Sequence, residues 1–148
     1  MDTLDTFTIG SFILAWFIQM GLHEGAHAWA AWYCGDDTAA LLGKRTFDPL
    51  RHIEWTNINS LLLGVILPIY TAANGNIPMG MAWVPVNPLR FKRMRRDWAL
   101  VSAAGPLSNL ALSLVLLGAH HALLRLPTTP VLGHLDDILW AVYATSMI

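Results

Sequence analysis

Apolar residues fall into two long runs and two short ones, with polar stretches between them. The first run extends from about Phe7 to Tyr33 and the third from about Trp98 to Leu124. Each exceeds the roughly 20 residues that a helix needs to cross a bilayer, so each predicts a membrane helix. The second run, about Ile58 to Ala73, is shorter and contains Pro68. It reads as a re-entrant or interfacial element, because one crossing there would place basic residues on opposite sides of a membrane. A fourth run starts near Leu135, after a loop at residues 125–134. Residues 35–57 mix polar, aromatic and β-branched residues around Pro49, which predicts extended structure or a short hairpin. Residues 74–89 are rich in Gly, Pro and Asn. Within them Trp83-Val84-Pro85-Val86-Asn87-Pro88 reads as an extended edge segment, since its prolines exclude a central strand. The expected architecture is an all-α membrane protein. It is a single-domain bundle of about three to four transmembrane helices, with a short β-hairpin or edge-strand region between the first and third.

Composition agrees with that pattern. Of 148 residues, 55% are hydrophobic and 13% charged, about half the charge of a soluble domain. Net charge is -1, but its distribution says more. Arg90, Lys92, Arg93, Arg95 and Arg96 abut the third run, where they read as a cytoplasmic flank and not as a nucleic-acid surface. Asp2 and Asp5 precede the first run with no basic residue, which does not read as a cleavable signal peptide; acidic residues before the run and basic ones after it predict an N-terminus outside. The localisation expected is a cell membrane crossed several times. Cys34 is the only cysteine, which rules out an intrachain disulfide and a cysteine zinc site.

Inside the first run lies His23-Glu24-Gly25-Ala26-His27. Two histidines four apart share one helix face and can hold one zinc ion, while the Glu between them can act as general base on a zinc-activated water. His23 is ten residues from Tyr33, about 15 Å along a helix, so the motif sits below the surface and toward the cytoplasmic end. Ionisable groups at that depth are costly and mark function. Small residues around it (Gly21, Gly25, Ala26, Ala28, Ala30 and Ala31) allow close helix approach. Asn109, in the third run, is a second polar group at membrane depth and is expected to bond another helix or line a cavity. A catalytic zinc takes three protein ligands. His52, His120, His121, His134, Asp136 and Asp137 all read as solvated or interfacial, so the third ligand is unassigned.

Several stretches, in order, carry a family resemblance: His23-Glu24-Gly25-Ala26-His27-Ala28, Gly35-Asp36-Asp37-Thr38-Ala39, Phe47-Asp48-Pro49-Leu50-Arg51-His52-Ile53-Glu54, Pro85-Val86-Asn87-Pro88, Arg96-Asp97 and Ala104-Gly105-Pro106-Leu107-Ser108-Asn109-Leu110. Together they resemble the compact bacterial members of the site-2 protease family, which are intramembrane zinc metalloproteases. Asp48 and Trp55 stand where that family usually has Asn and often has Pro. The resemblance implies zinc as cofactor, His23 and His27 as ligands, Glu24 as base, and a transmembrane protein as the substrate within the lipid bilayer. The edge segment, through Val84, Val86 and Asn87, would bind that substrate by strand addition. The family draws its third ligand from an Asp-Gly motif on a later helix. No Asp-Gly dipeptide occurs here, so the resemblance implies a chain truncated before that motif. The rival reading is a catalytically incomplete membrane protein that keeps the fold as a metal-binding or protein-interaction module. A soluble zinc protease comes third, disfavoured by the two long apolar runs.

Overall fold

The computed structural model describes residues 6–125 and 130–146. Helix α1 (Thr6–Cys34) has 29 residues and carries the His23–His27 motif in its second half. It ends where Gly35 adopts a left-handed backbone, φ +108°. There the Gly35 and Asp36 N–H groups return to the carbonyls of Trp32 and Ala31, a glycine-capped helix end. A Cβ on Gly35 would also press on the Arg90 carbonyl.

The hairpin expected between the first and third apolar runs is not formed; among the described residues there is no strand. Short turns replace it: α2 (Thr38–Leu41) and 3-10 turns at Pro49–Arg51 and Pro88–Arg90. The reason is local chemistry. Asp48, Asn57 and Asn87 each turn a side-chain oxygen back onto an N–H two residues ahead, and such Asx caps compete directly with a strand ladder. Pro49, Pro85 and Pro88 remove further ladder donors.

Asp36 ties this region together. Fully buried, it accepts the Thr38 N–H at 3.0 Å, the Thr38 hydroxyl at 2.5 Å and the Asn87 N–H at 2.6 Å. Burial alone would push its carboxyl up. The Thr38 and Asn87 hydrogen bonds and the Arg90 cation outweigh that and hold it below the usual carboxylate range. A depressed folded value means that the stabilisation is present above the ordinary Asp range, about 3.9. It is lost as pH falls through the folded value. Asp36→Asn is therefore expected to cost about 1–3 kcal/mol at neutral pH. Thermal melts of purified protein should show the gap between wild type and variant closing as pH is lowered.

The second apolar run forms one continuous helix, Ile58–Ala73, built from α3 (Ile58–Leu61), a π-helical turn at Leu62–Ile66, and α4 (Leu67–Ala73). Pro68 does not interrupt it. The Gly64 carbonyl, four residues before it, which a proline cannot reach with an N–H, accepts the Trp16 indole N–H at 3.3 Å instead. Helix α5 (Met94–Leu123) begins four residues earlier than expected, with the Asp97 carboxylate accepting the Arg93 N–H at 2.7 Å. Helix α6 (Pro130–Ser146) starts five residues before Leu135, so the anticipated loop shrinks; residues 126–129 of it lie outside the described residues.

Helices α1, α5 and α6 pack on one another, with α4 against α1. One apolar cluster joins Phe12 and Ala15 to Ala72, Ala141 and Val142; another joins Ala31 and Cys34 to Phe91 and Val101. Both α1 and α5 are long and apolar enough to cross a membrane, yet only 33% and 28% of their most apolar windows are buried. Leu14, Ile18, Leu107, Leu110 and Leu114 face outward. Contiguous exposed apolar surface of this kind marks a face that meets something other than water.

Candidate active site

Helix α5 runs antiparallel to α1, since Lys92, just before α5, bonds to Cys34 at the end of α1. This pairing presents one face of α5 to the motif. His23 and His27 stack one turn apart, their ring centroids 4.8 Å apart and their planes nearly perpendicular. The Val101 carbonyl lies 2.6 Å from His27 Nδ1. A carbonyl can only accept, so Nδ1 carries the proton and Nε2 keeps its lone pair free.

One turn further along α5, Gly105 leaves a gap. A Cβ built there would overlap Nε2 of both His27 and His23. Two imidazole nitrogens therefore converge on one spot that is kept clear of any side chain. That arrangement fits a metal ion at two ligand positions. No group of three His, Cys, Asp or Glu side chains that could hold a metal comes together among the described residues. The opposite face of α1 serves packing: Cβ atoms on Gly21 and Gly25 would strike the Phe47 carbonyl and the Phe47 ring.

Two cavities meet at His23 and Glu24. The inner one, about 250 Å³, is bounded by Trp16, Gln19, Met20, Met81, Asn109 and Thr145. The outer one, about 470 Å³, also takes in His27 and is bounded by Trp83, Val84, Val86, Trp98 and Val101. Ala82 borders both. Glu24 itself is buried and lines both cavities, the outer one together with His23 and His27.

Among the residues singled out from sequence, His23, Glu24 and His27 thus come together. Val84 and Val86 line the outer cavity, and Asn109 the inner one. Asn87 lines neither: its N–H goes to Asp36, and its side chain caps Leu89. The remaining histidines lie elsewhere. His52 is buried with Nε2 3.0 Å from the Thr46 carbonyl, where burial and the Lys44 cation lower its pKa against the pull of Thr46 and Asp48. His120 pairs with Asp136 at 2.5 Å, and His134 stacks on Phe7. Sequence reasoning missed the Val101 carbonyl, the gap at Gly105, and the lining residues Gln19, Ala82 and Thr145. Only Gly105 had a visible signal, its place beside Pro106.

The extended segment along the cavities is held at both ends. The Met81 N–H donates to the Leu63 carbonyl at 3.0 Å and the Asn87 N–H to Asp36. Between them, Ala82–Val86 makes no backbone–backbone hydrogen bond among the described residues.

The chain is similar to curated proteins that include the following. It is 38% identical over 129 residues to "Putative zinc metalloprotease Rip2" of Mycobacterium tuberculosis, covering 87% of this chain and 44% of that protein. It is 34% identical over 106 residues to "Putative zinc metalloprotease YwhC" of Bacillus subtilis, covering 70% of this chain and 42% of that protein. The Rip2 of Mycolicibacterium smegmatis is 33% identical over 119 residues, or 77% of this chain and 42% of its own length. The chain thus matches less than half the length of these relatives. No family model and no solved structure matches it. Each of these relatives is named a putative zinc metalloprotease, in agreement with the site-2-protease resemblance.

Proposed function

We propose that this chain is the core of an intramembrane zinc metalloendopeptidase of the site-2 protease kind, acting on transmembrane segments of membrane proteins. One observation carries the reading. The Nε2 atoms of His23 and His27 converge on the gap at Gly105, with Glu24 beside them, where two cavities meet between helices apolar enough to cross a bilayer.

His23 and His27 would hold the ion. When bound, zinc supplies Lewis-acid polarisation of a carbonyl and lowers the pKa of water toward about 7. The chain's own residues account for the rest. Val101 fixes the His27 ring by holding its Nδ1 proton. The Glu24 carboxylate takes a proton from the attacking water and passes it to the leaving amine nitrogen. The outer cavity admits a peptide that has left its helical conformation, since a helical carbonyl is occupied by its own chain. Ala82–Val86 supplies an open edge for that peptide, with backbone groups unspent on the protein itself. The basic run from Arg90 to Arg96 supports an orientation in which the α1 end that carries the motif faces the cytoplasm in a multi-pass membrane protein.

The decisive measurement is cleavage of a transmembrane reporter by the full-length protein in liposomes. Cleavage should stop on chelation and return on adding zinc; cleavage that persists in fully stripped protein refutes the reading. The open edge makes a separate prediction. Val86→Pro removes one N–H from the segment, and kcat/KM is expected to fall about fivefold or more with zinc content intact. An unaltered rate would eliminate strand addition.

A further inference from the structure

We propose that Gln19 and Asn109 are substrate-positioning residues: two neutral carboxamides that hold one peptide unit of an unwound apolar segment in the inner cavity. The inference rests on the proteolytic reading above and identifies how that site grips its substrate.

Both side chains are more than nine-tenths buried, Gln19 at 6% and Asn109 at 8% exposure. Neither carboxamide oxygen has a partner at full hydrogen-bonding distance, and the Asn109 side chain lies against the His23 imidazole. Most buried polar atoms in folded proteins are satisfied, and an unsatisfied one is costly. Hydroxyls elsewhere in these helices follow the rule. Ser11 returns to the Phe7 carbonyl, Thr71 to Leu67, and Thr145 to Ala141. The two carboxamides therefore stand out, and they stand out at the same place.

That place follows from helix geometry. Gln19 precedes His23 by four residues on α1, and Asn109 follows Gly105 by four on α5. Because the helices are antiparallel, both side chains reach the same end of the histidine pair. They border the inner cavity together with His23 and Glu24, and its remaining wall is mostly apolar: Trp16, Met20, Pro78 and Met81.

Carboxamides suit one class of ligand. Each offers an acceptor and two donors without charge, complementary to a peptide unit with its one C=O and one N–H. Charged side chains here would need counter-ions, whereas amides do not. A substrate that unwinds at this depth gives up its internal hydrogen bonds where lipid offers no replacement. The two carboxamides, lining one cavity with Glu24, supply that replacement next to the reacting bond.

The test couples a change in the protein to a change in the substrate. Zinc-loaded full-length protein is assayed against reporter peptides in which single backbone amides near the cleavage point are replaced by esters, removing one N–H at a time. Gln19→Met and Asn109→Leu preserve shape while deleting the hydrogen-bonding groups. Each is expected to raise KM about fivefold, with kcat within twofold and zinc stoichiometry unchanged. In wild type, one ester position should carry a similar loss, and that loss should vanish in Gln19→Met or Asn109→Leu. A purely structural role produces no such coupling. Losses that simply multiply at every ester position overturn the proposal. So does a wild type indifferent to every ester, a result that does not depend on the variants folding. A wild type that cleaves none of the parent peptides removes the proteolytic reading itself, a separate outcome.

Discussion

Glu24→Gln is expected to cut turnover about 1,000-fold, within the range general acid–base groups contribute, while leaving bound zinc at the wild-type level. Gln has nearly the same shape, so the buried position beside His23 stays filled. It cannot accept a proton, so the attacking water loses its base and the leaving amine its acid. Zinc stays because the two ring nitrogens that would hold it belong to His23 and His27, and the His27 ring is oriented by Val101, not by Glu24. Single-turnover cleavage and metal analysis on one preparation check both halves. Cleavage retained near wild type would refute Glu24 as the base. Zinc lost along with activity would place Glu24 among the ligands.

Gly105→Ala is expected to do the reverse, acting first on the metal. The added methyl would overlap both His27 Nε2 and His23 Nε2, so the rings must turn away or α5 must withdraw. Changes to groups that only orient a ligand cost 10–100-fold in metal affinity. Displacing both ligand rings at once should cost at least about 100-fold, measured by competition with a chelator. Gly118→Ala, on the same helix, is the control. Nothing lies within 4 Å of its added Cβ, and replacing a helical Gly by Ala should stabilise by about 0.5–1 kcal/mol. Wild-type zinc affinity in Gly105→Ala would show that the convergence of the two nitrogens is not where the ion binds.

These two variants divide what sequence could and could not reveal. The histidine pair was legible because a spacing of four residues is a property of one helix. So were the long helices: α1 was expected from about Phe7 to Tyr33 and spans Thr6–Cys34. The start of α5 was misplaced because Arg95, Arg96 and Asp97 read as a polar flank, whereas Asp97 closes the first turn over the Arg93 N–H. The hairpin was misread for a related reason. Aromatic and β-branched residues near Phe47 and Ile53 suggested strands, but the Asx caps and prolines between them outweighed that weak preference. Pro130 could have announced the start of α6, since proline favours the first turn. The gap at Gly105 lay beyond any local pattern. Which glycine faces which histidine depends on the register of α5 against α1, a property of two segments some eighty residues apart.

The π-helical turn at Leu62–Ile66 has a mechanical consequence. Two of its carbonyls turn outward to other parts of the chain: Leu63 takes the Met81 N–H and Gly64 takes the Trp16 indole N–H at 3.3 Å. Met81 anchors the open segment, and Trp16 borders the inner cavity. One widened coil thus gears two parts of the site to a single shaft. If the turn reverted to ordinary α-helix, the carbonyls beyond it would rotate by about 100° per residue of slippage. The open edge would then be dragged out of line with Glu24 while every residue of the motif stayed where it is.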